Sequence, residues 1–231
     1  MYRFFKRAFD FLAALLALIV TLPIWLITVI GIELSDPGPV FYKARRIGYR
    51  GAEFRMYKFR SMRVPKKSSE ASEASFKADT NRIFPFGAVI RKLKIDELPQ
   101  LLNILAGDMA IVGPRPASVD QVAVMREGRY AIANTVKPGL TGPAALYDYI
   151  YGDTVEDPED YERLVLPTRK ELEAYYPAHM SAATDWKMIW WTVECVLDSI
   201  IGKTPDKIYC KLVSFVVIAE GKSAEKERAN V

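Results

Sequence analysis

Two cysteines and a single histidine are the scarcest chemistry-bearing residues in this 231-residue chain. Cys195 and Cys210 have no CxxC spacing, which argues against a disulfide framework or a thiolate zinc site and fits a reducing cytosolic compartment. His179 stands alone, so histidine-based metal centres lack ligands and a Ser-His-Asp triad has one residue to draw on. Long apolar runs are equally scarce. Phe11 to Ile32 carries no charge, and no second comparable run follows it. An acidic excess is also missing: the net charge is +4 and the sequence pI about 8.9. That balance suits anionic lipid head groups or a phosphorylated substrate. Nucleic acid is set aside as a partner, because the basic residues gather beside the apolar run rather than along a recognition helix.

The apolar run is long enough to cross a bilayer, since about 1.5 Å per residue matches a hydrocarbon core of roughly 30 Å. Its flanks complicate a simple span. Arg3, Lys6 and Arg7 precede it, Lys43, Arg45, Arg46, Arg50 and Arg55 follow it, and basic flanks prefer the cytoplasm. Pro23 offers a resolution, because its ring removes a backbone N–H and clashes with the carbonyl of Ile19. A helix bent there could enter the membrane and return, with the hydroxyls of Thr21 and Thr28 as partners for the freed backbone. We read a re-entrant helix; a straight, kinked span also fits the length. A cleaved signal peptide does not, since the run is too long and no small-x-small cleavage site follows.

Beyond the run, a short strand is expected around Val40 to Tyr42 between two turns, and a second over Glu53 to Met62. Val64 to Asp79, rich in Ser, Ala and charge, reads as a mobile loop or marginal helix. In "IRKLKIDELPQLLNILAGDM", Leu98, Leu101, Leu102 and Leu105 share one helical face, and Asp96, Gln100 and Asn103 line another. Pro99 is tolerated only in a first turn, so this helix is expected to start near Asp96, with Gly107 as its stop.

Asp96 then has two explanations. It could be an N-cap satisfying free backbone N–H groups, with Glu97 favouring the positive helix end. Alternatively, an acidic pair at a helix start works on phosphate: one carboxylate attacks phosphorus while its neighbour holds a metal or manages a proton. The second reading needs cations nearby, and Arg91, Lys92, Lys94, Lys58, Arg60 and Arg115 are available.

The ordered set "YRFFKRAFDF", the proline-broken apolar segment, "YKFRSM", "IRKLKIDELPQLLNILAGDM", "IVGPRP" and "VKPGLTG" resembles the bacterial sugar transferase family, the monotopic phosphoglycosyl transferases. The likeness is close from Tyr2 to about Gly142 and looser from Tyr161 to Leu197. It implies a re-entrant anchor on the cytoplasmic face of the bacterial inner membrane. It also implies transfer of a phospho-sugar from a nucleotide diphosphate sugar, usually a UDP-sugar, to membrane polyprenol phosphate, with UMP released. By the same resemblance, Asp96 matches the nucleophile that forms a covalent phospho-sugar intermediate, and Glu97 its partner in Mg²⁺ binding. Arg115, held between two prolines, and Arg91 are phosphate candidates. Lys58 and Arg60 could meet substrate or lipid head groups. Arg46 matches a recurrent family arginine that could be structural. Lys137 could meet phosphate while Gly139 and Gly142 permit turns.

Two departures stand out. Leu22-Pro23 replaces a frequent Ser-Pro pair, and Pro143-Ala144-Ala145 follows "LTG" where many members continue Trp-Ala-Gln. Tyr151 to Pro167 is acidic and reads as a loop leading into a helix. Further on, Ile189, Trp190, Val193, Val196 and Leu197 form one helical face suited to a membrane surface or to the core. "IYCKLVSFVVIAEG" is read as a short strand or interaction segment, and "KSAEKERANV" as a frayed tail. The expected fold is α/β (α+β). Residues 1–35 form the anchor, 36–200 a catalytic domain of several helices and a small sheet, and 201–231 an extension that would allow a homodimer. The rivals are a non-catalytic membrane-anchored scaffold and a single-span protein with a binding domain.

Overall fold

The computed structural model describes residues 2–64, 80–203 and 205–215. Beyond Val64, the Ser-rich stretch lies outside the described residues, as does the tail after residue 215. Helix α1, Tyr2–Ser35, contains Pro23 without interruption. Thr21 Oγ1 donates to the carbonyl of Ala17 at 2.7 Å and Thr28 Oγ1 to that of Ile24 at 2.7 Å. Neither hydroxyl therefore serves Ile19, whose carbonyl Pro23 deprives of its helical partner. Each bonds the carbonyl four residues back, a habit that lets a hydroxyl sit in an apolar helix.

Both ends of α1 pack on the same domain. Near the start, Lys6 pairs with Asp185 at 2.7 Å. Arg7 donates to the carbonyls of Ile104 and Leu105 in the last turn of a helix, where a cation complements the negative end of the helix dipole. Near the end, Ile32 packs with Phe59, Phe84 and Ile90. In between, Ala14, Ala17 and Leu18 meet Met56, Leu101, Ile104 and Met109. Elsewhere α1 exposes many apolar side chains, Leu16, Ile19, Val20, Leu26 and Ile27 among them.

Strands β1 (Phe41–Ile47) and β2 (Glu53–Phe59) pair antiparallel along their whole length. β1 runs further than the expected Val40 to Tyr42, because the basic stretch finds a cross-strand partner: Arg45 Nε and Nη2 donate to Glu53 at 2.6 and 2.8 Å. β4 (Ala117–Ser118) joins the far side of β1. A second, parallel pair joins β3 (Ala110–Val112) to β5 (Gly139–Thr141). There, Gly139 and Gly142 serve close approach rather than a turn. A Cβ on Gly139 would lie 2.1 Å from Gly113 N, and one on Gly142 2.1 Å from Gly113 O.

Helix α2 is Pro85–Lys92 and α3 is Gln100–Ala106. Between them Ile95–Glu97 forms a separate 3₁₀ turn, so the helix expected from Asp96 begins four residues later, with Pro99 as its N-cap. Gly107 ends it in the left-handed region at φ 94°. The side of α3 that carries Gln100 and Asn103 is buried rather than solvated. Asn103 Oδ1 accepts from Tyr57 N at 2.9 Å and its Nδ2 donates to Arg55 O at 2.8 Å, tying α3 to β2.

The remaining helices are α4 (Val122–Met125), α5 (Pro143–Ile150), α6 (Pro158–Asp160), α7 (Leu166–Ala178), α8 (Ala182–Ile200) and α9 (206–215). The acidic stretch read as a loop starts α6, where Asp157 Oδ1 accepts from the N–H groups of Glu159 and Asp160. A π-helical turn, Tyr161–Val165, carries the chain into α7. The segment read as a strand or interaction element is helical over 206–215. Ile208 and Leu212 join the core formed with Tyr147, Tyr176, Met188 and Trp191. α8 has two apolar sides: Met188, Trp191 and Cys195 face the core, while Trp186, Trp190, Val193 and Leu197 are exposed.

Candidate active site

The 3₁₀ turn between α2 and α3 presents two adjacent carboxylates in opposite circumstances. Asp96 is buried, and its Oδ1 has no hydrogen-bond partner among the described residues. This removes the cap explanation: Lys94 and Pro99 hold the N-cap positions, and Asp96 closes no backbone N–H. Glu97 Oε1 instead accepts from Lys58 Nζ at 2.9 Å. Burial, with some repulsion from Glu97, pushes the Asp96 carboxyl up, against the pull of Lys58, Arg91 and Lys94. For Glu97 burial acts in the same direction, but Lys58, Lys94 and Arg115 prevail and hold it down to about 2. Glu97 is thus firmly ionised, while Asp96 is a carboxylate short of partners.

Lys94 positions the turn. It adopts a left-handed backbone, φ 55° and ψ 19°, a conformation that costs a residue with a Cβ roughly 1–2 kcal/mol. Its ammonium lies 4.3 Å from the centre of the Tyr149 ring and 3.4 Å from Asp153 Oδ2. Backbone outliers of this kind cluster at active sites and ligand clamps.

Of the residues singled out in the sequence, Asp96, Glu97, Lys58, Arg91 and Arg115 come together. Arg91, on α2, also reaches Met62 Sδ at 3.8 Å. Arg115 is partly exposed and lies with Nε 3.5 Å from Asp148 Oδ2. Arg60 is placed elsewhere: it is buried, pairs with Asp36 and donates to the carbonyls of Asp36 and Pro39, latching the loop after α1. Arg46 sits on β1 opposite Ser118 of β4. Lys137 stands with Arg7 and Asp108 near the end of α3, where burial and the Arg7 charge lower its pKa. His179 stacks on Tyr175 at 3.9 Å between ring centres and is structural.

Sequence reasoning missed the partners supplied by α5 to α7: Tyr149, Asp148, Tyr161, Arg169 and Glu173. No spacing signal could have found them, because they lie some fifty residues or more from the acidic pair and are joined to it only by folding.

A divalent cation fits the pair. Mg²⁺ habitually takes one or two protein carboxylates and completes its shell with water and substrate phosphate. An ionised Glu97 beside the unpartnered Asp96 Oδ1 meets that demand. Among the described residues no group of three or more His, Cys, Asp or Glu gathers, as an all-protein cage would require.

The profile of the family described as bacterial sugar transferase matches residues 1–199. The UDP-N-acetylgalactosamine-undecaprenyl-phosphate N-acetylgalactosaminephosphotransferase of Aeromonas hydrophila is 38% identical over 201 residues, covering 85% of this chain and 44% of that protein. The UDP-glucose:undecaprenyl-phosphate glucose-1-phosphate transferase of Xanthomonas campestris pv. campestris is 41% identical over 153 residues, covering 65% of this chain and 31% of that protein. The exopolysaccharide production protein PSS of Rhizobium leguminosarum bv. phaseoli is 34% identical over 197 residues, covering 81% and 92%. The chain therefore spans less than half the length of the first two relatives and nearly all of the third. With the profile matched across most of its length, the chain belongs to the bacterial sugar transferase family.

Proposed function

We propose that the protein is a phosphoglycosyl transferase that moves a phospho-sugar from a UDP-sugar to membrane polyprenol phosphate by way of Asp96. The observation that carries this reading is the buried, unpartnered Oδ1 of Asp96 among Lys58, Arg91 and Lys94. A carboxylate without hydrogen bonds keeps its lone pairs for attack, and the cations around it reduce the repulsion an incoming diphosphate would meet. An Asp96 oxygen attacks the sugar-bearing phosphorus. The bond between that phosphorus and the bridging oxygen breaks, and the electron pair leaves on UMP. A phosphate oxygen of the lipid then attacks the same phosphorus, breaks the acyl-phosphate bond and restores the carboxylate. The product is polyprenol-diphosphate-sugar, and the kinetics are ping-pong.

Glu97, fixed by Lys58, would hold Mg²⁺ together with Asp96. When bound, the cation supplies charge neutralisation of the diphosphate and of the departing UMP. Arg115 and Arg91 bind the phosphate oxygens. A water-soluble donor and a lipid acceptor can use one carboxylate in turn because the site lies next to the membrane anchor.

The helix α1 passes the length and composition test for crossing a bilayer. Contacts of both its ends with one domain support the monotopic part of the reading, since a straight span would carry its far end roughly 30 Å across the hydrocarbon; the break expected at Pro23 is not seen, because α1 runs through it as one helix. The basic flanks on both sides support the cytoplasmic face. Exposed Trp186 and Trp190 on α8 extend the lipid-facing surface alongside α1, where Trp186 meets Phe9 at 5.8 Å between ring centres.

Intact-mass analysis of the protein with Mg²⁺ and a panel of UDP-sugars, without lipid acceptor, tests the proposal. A phospho-sugar adduct on the wild type and none on Asp96→Asn is the expected result. The absence of both adduct and UMP release, with polyprenol phosphate added for the latter, would overturn it.

A further inference from the structure

Arg115 is held at two points by a closed circuit of buried charge. Its Nε lies 3.5 Å from Asp148 Oδ2. Asp148, on α5, accepts a hydrogen bond from Tyr161 and has Arg169 Nη1 at 3.6 Å. Arg169 donates to Tyr161 Oη at 2.9 Å and pairs with Glu173 at 3.2 Å through Nε. Glu173 pairs in turn with Arg126, whose Nη2 returns to the carbonyl oxygen of Arg115 itself at 3.0 Å. Asp148, Arg169 and Glu173 are each at most 7% exposed.

Such a circuit is an expensive way to stabilise a fold, since removing each ion from water costs several kcal/mol and apolar packing of equal volume often does as well. Its placement gives it another use. Three guanidiniums face two carboxylates, so one positive charge is left over. Arg115 is the member with appreciable exposure, 38% of its side chain, and its charge already acts on Glu97. An unrestrained arginine would lose much of its rotamer freedom on gripping a phosphate. One whose guanidinium rests against a fixed carboxylate, on a backbone tied at its carbonyl, has lost part of it beforehand. Close packing keeps the partner in place: a Cβ on Gly152 would lie 2.3 Å from Asp148 Oδ1.

We propose that Asp148 is a positioning residue, which aims the Arg115 guanidinium at the diphosphate oxygens of the donor and acts on transfer only through Arg115. This inference rests on the phosphoglycosyl-transfer reading. Its test is a double-mutant cycle on the full-length protein in membranes, with UMP release followed at varied UDP-sugar. Arg115→Ala is expected to lose about 100-fold in kcat/KM, in the range found when one charge-stabilising donor is removed. Asp148→Asn keeps an acceptor for Tyr161 and loses about tenfold, yet costs nothing further when added to Arg115→Ala. Tyr161→Phe, which leaves the carboxylate but frees it on one side, gives a smaller loss that also disappears in the Arg115→Ala background. It serves as the probe should Asp148→Asn fail to fold.

Equal fold losses from Asp148→Asn, or from Tyr161→Phe, in both backgrounds would overturn the inference alone and leave the transfer reading standing. Full activity in Arg115→Ala would overturn the inference and the phosphate role of Arg115 together. Wild-type protein that forms an Asp96 adduct but shows no dependence on Asp148 or Tyr161 would also retire the inference without touching the mechanism.

Discussion

Lys58 Nζ lies 2.9 Å from Glu97 Oε1, while Asp96, one residue earlier on the same turn, keeps a buried oxygen with no hydrogen-bond partner among the described residues. The same lysine thus hydrogen-bonds one of two adjacent carboxylates and reaches the other only through its charge. This division comes from β2, which brings Lys58 to the turn from 39 residues away in sequence.

Asp96→Asn is expected to abolish transfer, with activity down by about 10³-fold or more, as for loss of a nucleophile. The same change is expected to raise stability. Burial disfavours the charged carboxylate in the folded state, so its replacement by a neutral isostere relieves a penalty, and a gain of about 1 kcal/mol corresponds to roughly 2–4 °C in a domain of this size. Thermal melts of the two proteins alongside UMP release check the pair of outcomes. A fall in melting temperature would show that the Asp96 charge stabilises the fold.

Glu97 works in the opposite direction. Its folded-state carboxyl is held down to about 2 against an ordinary value of 4.5. It therefore contributes stability that is fully present above about pH 5 and disappears as the pH falls toward 2. Glu97→Gln is expected to be destabilised at pH 7, by on the order of 1–3 kcal/mol, and to approach the wild type below pH 4. Asp96 has the reverse sign, so the stability gain in Asp96→Asn shrinks as the pH drops. Denaturant titrations at pH 3, 5 and 7 separate the two effects.

Trp190 and Trp191 are neighbours on α8 with different surroundings, 66% and 6% exposed respectively. In nanodiscs containing brominated lipid, Trp190→Phe is expected to remove much of the quenchable fluorescence, while Trp191→Phe leaves it in place. Equal effects from the two variants would detach the outer face of α8 from the lipid.

Gly113→Ala tests the backbone contact between the "GPRP" loop and β5. An added Cβ would lie 2.4 Å from Lys137 O and 2.7 Å from Gly139 N, both of them main-chain atoms with little room to retreat. A loss of about 1–3 kcal/mol is expected from such overpacking. Because the loop carries Arg115, the melting temperature and the KM for the UDP-sugar should worsen together. Unchanged values of both would mean that the loop relaxes freely.

Much of the framework was legible in residue order alone. The uncharged run predicted α1, Gly107 predicted the end of α3, and the cations between Lys58 and Arg115 marked the neighbourhood of the acidic pair. Reading Asp96 as the start of a helix went wrong because a proline three residues on is compatible with either a first turn or an N-cap. The left-handed Lys94, which begins a separate 3₁₀ turn, follows from no propensity. Arg60, open in the sequence between substrate and lipid head groups, is buried against Asp36, a partner that residue order does not reveal.

The amino-acid sequence by itself determined the apolar anchor, the acidic pair and the supply of positive charge, since each depends on local composition and spacing of a few residues. Tertiary structure alone decided which carboxylate is paired and which is left open, and which arginine faces the pair. It also decided that both ends of α1 rest on one domain and that Asp148, Arg169 and Glu173 brace Arg115 from behind. Charges interact through space as the inverse of distance and of the local dielectric. Their effect on Asp96 and Glu97 therefore exists only once β2, α5 and α7 have brought remote residues within a few ångströms and excluded water.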